Sequence, residues 1–197
     1  MKILDAAFAH PRGLLGRLGG TIMAHGSAER NAWTIAQLTI HSGDHILDVG
    51  CGSGALIHAL AKYIPDGLAV GIDTSPLMLK QATRRNAQFI QCGCVQLQRA
   101  SALVLPFVDA AFDIALSANS VQLWPDQLAG VTEMRRVLKP DGQIALILQP
   151  VWVRTNEEVK ALGDTLQELL SRAGFRSIRC VFKEMRPIGS VCVLGRK

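Results

Sequence analysis

Residues 44–54 read Asp-His-Ile-Leu-Asp-Val-Gly-Cys-Gly-Ser-Gly and carry the clearest chemistry in the chain. Ile46 to Val49 is a short apolar run with one acid, Asp48, near its end. Such a run, bounded by turn residues, predicts a buried parallel strand. Gly50, Gly52 and Gly54 follow at two-residue spacing, and Ala55 to Tyr63 predicts a helix. Glycines there let the chain turn tightly and let a ligand approach the bare backbone. Amide groups at the start of the helix favour a negative or electron-rich ligand group. The spacing is G-x-G-x-G with an acid two residues before the first glycine. It differs from the dinucleotide fingerprint G-x-G-x-x-G and from the phosphate loop, whose Lys is absent here.

A second acid supports the first. Leu68 to Ile72 predicts another strand, and it ends in Asp73, 25 positions after Asp48. An acid at the end of the second strand is placed to accept hydrogen bonds from ribose hydroxyls. Thr74-Ser-Pro76 opens a helix that runs to about Phe89, with Lys80, Arg84 and Arg85 outward. Cys94 to Arg99 and Phe112 to Leu116 predict the third and fourth strands. The fourth leads into 117–124, at the carboxyl edge where open α/β sheets bind ligands.

Leu128 to Leu138 predicts a helix stopped by Lys139-Pro140-Asp141-Gly142, and Gln143 to Leu148 a fifth strand. Asn156 to Ala173 predicts a long helix capped by Asn156 and ended by Gly174. Ile178 to Glu184 and Ser190 to Leu194 read as two strands too close for a parallel crossover, so they pair antiparallel. Alternating strands and helices give an α/β class with a mainly parallel sheet.

The remaining chain sets bounds. A length of 197 residues predicts one domain with a full core. Apolar residues at 49% and charged residues at 19% exclude a disordered chain. The net charge of +5 is spread without a long Lys/Arg run, which reads as a basic solvated surface rather than a nucleic-acid site. Five cysteines, 51, 92, 94, 180 and 192, lack disulfide-framework spacing and point to a reducing, cytoplasmic compartment. Cys92-Gly93-Cys94 has no His or second pair nearby, so no metal site is expected. No apolar stretch suits a membrane span, and the N-terminus shows no signal-peptide pattern. Residues 1–43 read as an N-terminal extension, 44–148 as a cofactor-binding core and 149–197 as a C-terminal helix and hairpin. Pro11, Gly13, Gly16, Gly19, Gly20 and Gly26 break up the extension. Residues 8–27 are expected to form a helical lid with Leu14, Leu15, Leu18, Ile22 and Met23 on its apolar side. Glu29 to Leu38 shows helical periodicity, with Trp33, Ile35, Ala36 and Leu38 apolar.

Five segments in order now carry a resemblance. They are Ile46-Leu-Asp-Val-Gly-Cys-Gly-Ser-Gly54, Gly71-Ile-Asp-Thr-Ser-Pro-Leu-Met-Leu79, Leu105-Pro-Phe107, Phe112-Asp113 and Arg136-Val-Leu-Lys-Pro-Asp-Gly142. Together they resemble the class I S-adenosylmethionine-dependent methyltransferases, specifically the small-molecule type related to quinone-biosynthesis C-methyltransferases. The resemblance implies a Rossmann-like seven-stranded sheet, helices on both faces, and a last strand inserted antiparallel. It implies S-adenosyl-L-methionine as cofactor. Asp48, Gly50, Cys51, Gly52, Ser53 and Gly54 fall in the cradle for its methionine part. Asp73 and Thr74 fall at the ribose, Met78, Ser101 and Ala102 at the adenine, and Ala118 and Asn119 near the amino group. Many relatives carry an acid where this chain has Ser101, and a hydroxyl bonds an amino group less strongly than a carboxylate.

The reaction implied is in-line displacement of the sulfonium methyl onto a small-molecule acceptor. The cofactor is already activated, so the protein mainly aligns and desolvates. A general base is needed only where the acceptor must lose a proton, and His25 is the first candidate, with His10 before it the other. Met23, Asn119, Gln122 and Trp124 are candidates for the acceptor pocket, although an indole at 124 also suits the core. Two rivals remain at this point. A nucleic-acid methyltransferase often carries an Asn/Asp-Pro-Pro-aromatic box after the fourth strand, where this chain has Ser117-Ala118-Asn119-Ser120. A protein that binds the cofactor without turnover shares every motif above. The sequence leaves the oligomeric state open.

Overall fold

The computed structural model describes residues 28–197. Residues 28–36 are helical and are called α1. The chain continues through β1 (His45–Val49), α2 (Ala55–Leu60), β2 (Leu68–Asp73), α3 (Pro76–Arg85), α4 (Ala87–Gln91) and β3 (Val95–Arg99). Next come β4 (Phe112–Ala118), a 3-10 turn at Val121–Leu123, α5 (Gln127–Val137) and β5 (Leu138–Leu148). The described residues end with α6 (Asn156–Arg172), β6 (Arg176–Lys183) and β7 (Ser190–Arg196).

All seven strands join one sheet in the order β3-β2-β1-β4-β5-β7-β6. The pairs from β3 through to β5 are parallel, and β7 runs antiparallel between β5 and β6. This is the seven-stranded, mainly parallel arrangement the sequence predicts. Successive side chains of a strand alternate between faces, so each face carries its own core. On one face Leu47, Val49, Val70 and Leu146 pack with Val131 and Met134 of α5 and Leu166 and Leu170 of α6. On the other, Ile46, Ile114, Leu116 and Ile147 pack with Ile35 of α1 and Leu56, Ile57 and Leu60 of α2. Burial on both faces explains why β1 and β4 read as nearly continuous apolar runs.

The chain walks outward from β1 to β3, then returns to the other side of β1 as β4. The crevice above β1 and β4 is therefore the topological switch point, where open α/β sheets hold their ligands.

Several local expectations need correction. The helix expected from Pro76 to about Phe89 is two helices, broken at Asn86. Asn86 is fully buried, and its Nδ2 donates to the carbonyls of Ala82 at 2.9 Å and Gly54 at 3.1 Å. Its amide ties the end of α3 to the glycine turn instead of continuing the helix. Helix α6 is capped by Thr155, not Asn156: a capping box joins Thr155 and Glu158. Asn156 Oδ1 instead accepts from the Gly189 amide at 3.1 Å. Lys139 to Gly142 lies within β5, because Leu138 pairs with Phe112 before the register shifts to Ile114 opposite Gln143. On α1 the buried positions are Asn31, Thr34 and Ile35, while Ala36 is exposed. The inward stripe of that helix is thus partly polar.

Candidate functional site

The glycine turn is built by three left-handed glycines, Gly50 (φ 80°), Gly52 (φ 53°) and Gly54 (φ 72°). Their surroundings differ. A Cβ on Gly50 would overlap the Ser120 side chain. A Cβ on Gly54 would stand 2.6 Å from Asn86 Nδ2 and 2.8 Å from the Ala82 Cβ. A Cβ on Gly52 would meet nothing within 4 Å. Gly50 and Gly54 are therefore needed for packing, whereas Gly52 borders open space of the kind a ligand fills. Amides of Gly50 and Cys51 donate to the Ile72 carbonyl at 2.8 and 2.9 Å, which fixes the turn against the end of β2. Cys51 is buried, and its sulfur packs where Gly71 leaves room, so its side chain holds the turn rather than facing the crevice. Ser53 is half-buried at the lip.

Asp73 closes the same turn. Its Oδ2 accepts from the Gly52 amide at 2.9 Å and its Oδ1 from the Ser75 amide at 2.8 Å. A carboxylate oxygen accepts at two lone-pair sites, so each still has one for a ligand hydroxyl. Thr74 is exposed beside it, and its carbonyl holds Arg99 Nε at 3.1 Å. Met78 lies half-buried in the first turn of α3, its amide bonded to the Ser75 cap.

Asp48 is the least expected feature. It is 2% exposed, and its Oδ1 has no hydrogen-bond partner among the described residues. Burial pushes its carboxyl up to about 7, with the nearby Asp73 charge adding to the rise and Arg30 opposing it. Arg30 of α1 donates from one terminal nitrogen to Gln149 Oε1 at 3.2 Å, while its buried Nε has no partner among the described residues. Burial holds that guanidinium below its ordinary range, and Asp48 partly restores it. A carboxylate oxygen and a guanidinium nitrogen are thus both left over at the carboxyl end of β1. Such groups are costly unless something pairs with them. The sequence reading missed Arg30 and Gln149. The one available signal was the i, i+4 placement of Arg30 and Thr34 on the inward side of a helix.

The remaining candidates differ in their exposure and contacts. Ala102 is 8% exposed, while Ser101 is exposed, bridges to Val104 and accepts the Leu103 amide at 3.2 Å. Ala118 ends β4 half-buried. Asn119 sits at φ 54°, and its Oδ1 accepts the Gln149 amide at 2.7 Å, which pins the ends of β4 and β5 together. Gln122 has a buried Oε1 with no partner among the described residues. Trp124 packs so closely on α5 that a Cβ on Gly130 would stand 2.5 Å from its ring, and its Nε1 donates to Ser120 Oγ at 3.0 Å. That placement is chiefly structural: the indole supports Ser120, which in turn abuts Gly50. Met23, His25 and the lid expected over 8–27 lie outside the described residues. The described residues contain no group of three or more His, Cys, Asp or Glu able to hold a metal ion. No helix among them is long and apolar enough to cross a membrane.

A parallel sheet with a glycine turn at its switch point and a strand-end acid beside it defines a nucleoside-cofactor-binding α/β protein. Comparison narrows the class. The methyltransferase-domain family model matches residues 46–142. The uncharacterized methyltransferase YdaC of Bacillus subtilis is 35% identical over 181 residues, covering 91% of this chain and 98% of the relative. A demethylmenaquinone methyltransferase of Lactiplantibacillus plantarum is 35% identical over 129 residues, but the chain covers only 54% of its length. Among solved structures, an S-adenosylmethionine-dependent methyltransferase from Aquifex aeolicus has the same fold, with a TM-score of 0.71 at 21% identity over 89% of this chain and 96% of that one. The chain belongs to the S-adenosylmethionine-dependent methyltransferase family. Its cofactor is S-adenosylmethionine.

Proposed function

We propose that this chain methylates a small-molecule acceptor, and that the observation supporting this most directly is the open space at Gly52 beside the anchored Asp73 carboxylate. S-adenosylmethionine, when bound, supplies an activated methyl group that leaves by in-line displacement. The chain's own residues bind, orient and exclude water. Asp73 takes the ribose hydroxyls, and Met78 and Ala102 flank the adenine, with Ser101 at its rim. Gly52 and Ser53 leave room for the backbone to meet the ligand.

The two leftover groups at β1 suit opposite charges. Asp48 Oδ1 attracts a cationic amino group, and Arg30 Nε attracts a carboxylate, so the pair matches the zwitterionic amino-acid end of the cofactor. Pairing there would remove the penalty of leaving both groups unsatisfied. Gln122 Oε1 is an acceptor available to a donor on the methyl acceptor. Relatives named demethylmenaquinone, phytylnaphthoquinone and O-methyltransferases make reduced quinones and phenols the first compounds to test.

The test is a panel of such compounds, together with RNA and DNA, read by S-adenosylhomocysteine release from the full chain. Release with a ring compound supports the reading. Release with nucleic acid alone would replace it.

A further inference from the structure

Outside the cofactor site, one cluster of nucleophiles stands out. Cys92 and Cys94 place their sulfurs 2.9 Å apart at the surface, with Cys92 exposed and Cys94 half-buried. Their backbone is held rigidly. Gly93 between them is left-handed at φ 81°. The Gly93 amide donates to the Ile90 carbonyl at 3.1 Å, and the Cys94 amide donates to the Phe89 carbonyl at 2.9 Å. Those two bonds are a Schellman motif closing α4, with the cysteines on either side of its glycine. The cap that ends the helix therefore also fixes the two thiols against each other.

The site lies at the amino end of β3, whereas Asp73 and the glycine turn lie at the carboxyl end of the sheet. No third His, Cys, Asp or Glu joins the pair among the described residues, so the tetrahedral zinc pattern is not met. What two adjacent, accessible thiols do without further ligands is exchange with disulfides.

We propose that Cys92 and Cys94 are a redox-active dithiol that forms a reversible intrachain disulfide by exchange with a low-molecular-weight disulfide. In the first step the Cys92 thiolate attacks one sulfur of the external disulfide. A Cys92 mixed disulfide forms, and one external thiol leaves as thiolate and takes up a proton. In the second step the Cys94 thiolate attacks Cys92 Sγ and expels the second external thiol. The two cysteine sulfurs are oxidised, the external disulfide is reduced to two thiols, and the protons lost by the cysteines end on those thiols. The sulfurs close from 2.9 Å to about 2.0 Å, with no partner brought from elsewhere in the fold. The order of attack follows from the local hydrogen bonds. A Cys92 thiolate accepts from the Cys94 thiol, which holds the Cys92 thiol below its ordinary range and raises that of Cys94. Cys51 and Cys192 are buried and have no part in this, while exposed Cys180 makes no hydrogen bond to another thiol among the described residues and serves as an internal control.

The test uses the full chain and oxidised glutathione, with intact mass, free-thiol count and peptide mapping. The expected result is loss of two thiols and two hydrogen atoms at Cys92 and Cys94, reversed by a reductant. Cys94→Ser should stop at a glutathione adduct on Cys92, and Cys92→Ser should react at least tenfold more slowly at this segment. Both variants should keep wild-type cofactor affinity, which verifies their fold. No thiol loss in the wild type, a stable glutathione adduct on it, or reaction confined to Cys180 would each overturn the proposal.

Discussion

The Gly52 amide donates to Asp73 Oδ2 at 2.9 Å, so the middle glycine of the turn and the acid ending β2 hold each other in place. Two parts of the chain twenty-one residues apart are thus held against each other at the carboxyl ends of β1 and β2. Asp73→Ala removes the anchor of the turn together with the proposed ribose acceptor. Each charge-assisted bond lost is worth ~1.5–3 kcal/mol, so cofactor affinity should fall at least about tenfold. Titration calorimetry with S-adenosylmethionine measures it, and unchanged affinity in a folded variant would exclude the ribose role.

Gly52 and Gly54 should fail differently. Gly52→Val points its side chain toward the open space and strains a left-handed backbone by ~1–3 kcal/mol, while its Cβ meets no protein atom within 4 Å. The variant should fold and lose cofactor binding. Gly54→Ala carries similar strain and drives its Cβ against Asn86 and Ala82, so it should lower the melting temperature far more. Thermal unfolding of the two variants without ligand separates these outcomes; equal destabilisation would contradict the distinction.

Asp48 makes stability and binding depend oppositely on pH. Its carboxyl titrates at about 7 when folded, against the ordinary 3.8. Between those values the folded chain keeps a proton that the unfolded chain has lost. The stabilisation from this group is therefore full below about pH 4, declines as pH rises to about 7, and stays level above that. Cofactor affinity should run the other way, rising through about pH 7 as Asp48 ionises and attracts the amino group. Asp48→Asn should flatten both profiles. A variant that keeps the wild-type pH dependence in binding and in denaturant unfolding would assign the effect to other groups.

Asn86 stitches α3 to the glycine turn through Ala82 and Gly54. Asn86→Ala leaves the Gly54 carbonyl without that donor and opens a buried gap. The expected loss is ~1–3 kcal/mol, or about 2–4 °C in melting temperature per kcal/mol, with weaker cofactor binding as well. Differential scanning calorimetry checks the first and ligand titration the second. A change in stability with unaltered affinity would show that the turn keeps its shape without this tie.

Local patterning was enough for much of this protein. Apolar runs, glycine spacing, Asp73 at a strand end and the short gap before Ser190 determine the α/β class, a mainly parallel sheet and an antiparallel final pair of strands. Those signals are carried by residues close together in the chain, where backbone freedom and side-chain alternation act directly. The tertiary structure decided what depends on residues far apart. Asn86 ends α3 because Gly54 offers its carbonyl from thirty-two residues away. Trp124 supports Ser120 because Gly130 leaves room for the ring. Arg30 matters because α1 lies over the carboxyl end of β1, beside Asp48 and Gln149. In the sequence these are an unremarked polar residue, an aromatic and a surface-type cation. Burial and the partners supplied by folding gave each of them its role, since a polar group's energy is set by what surrounds it once water is removed.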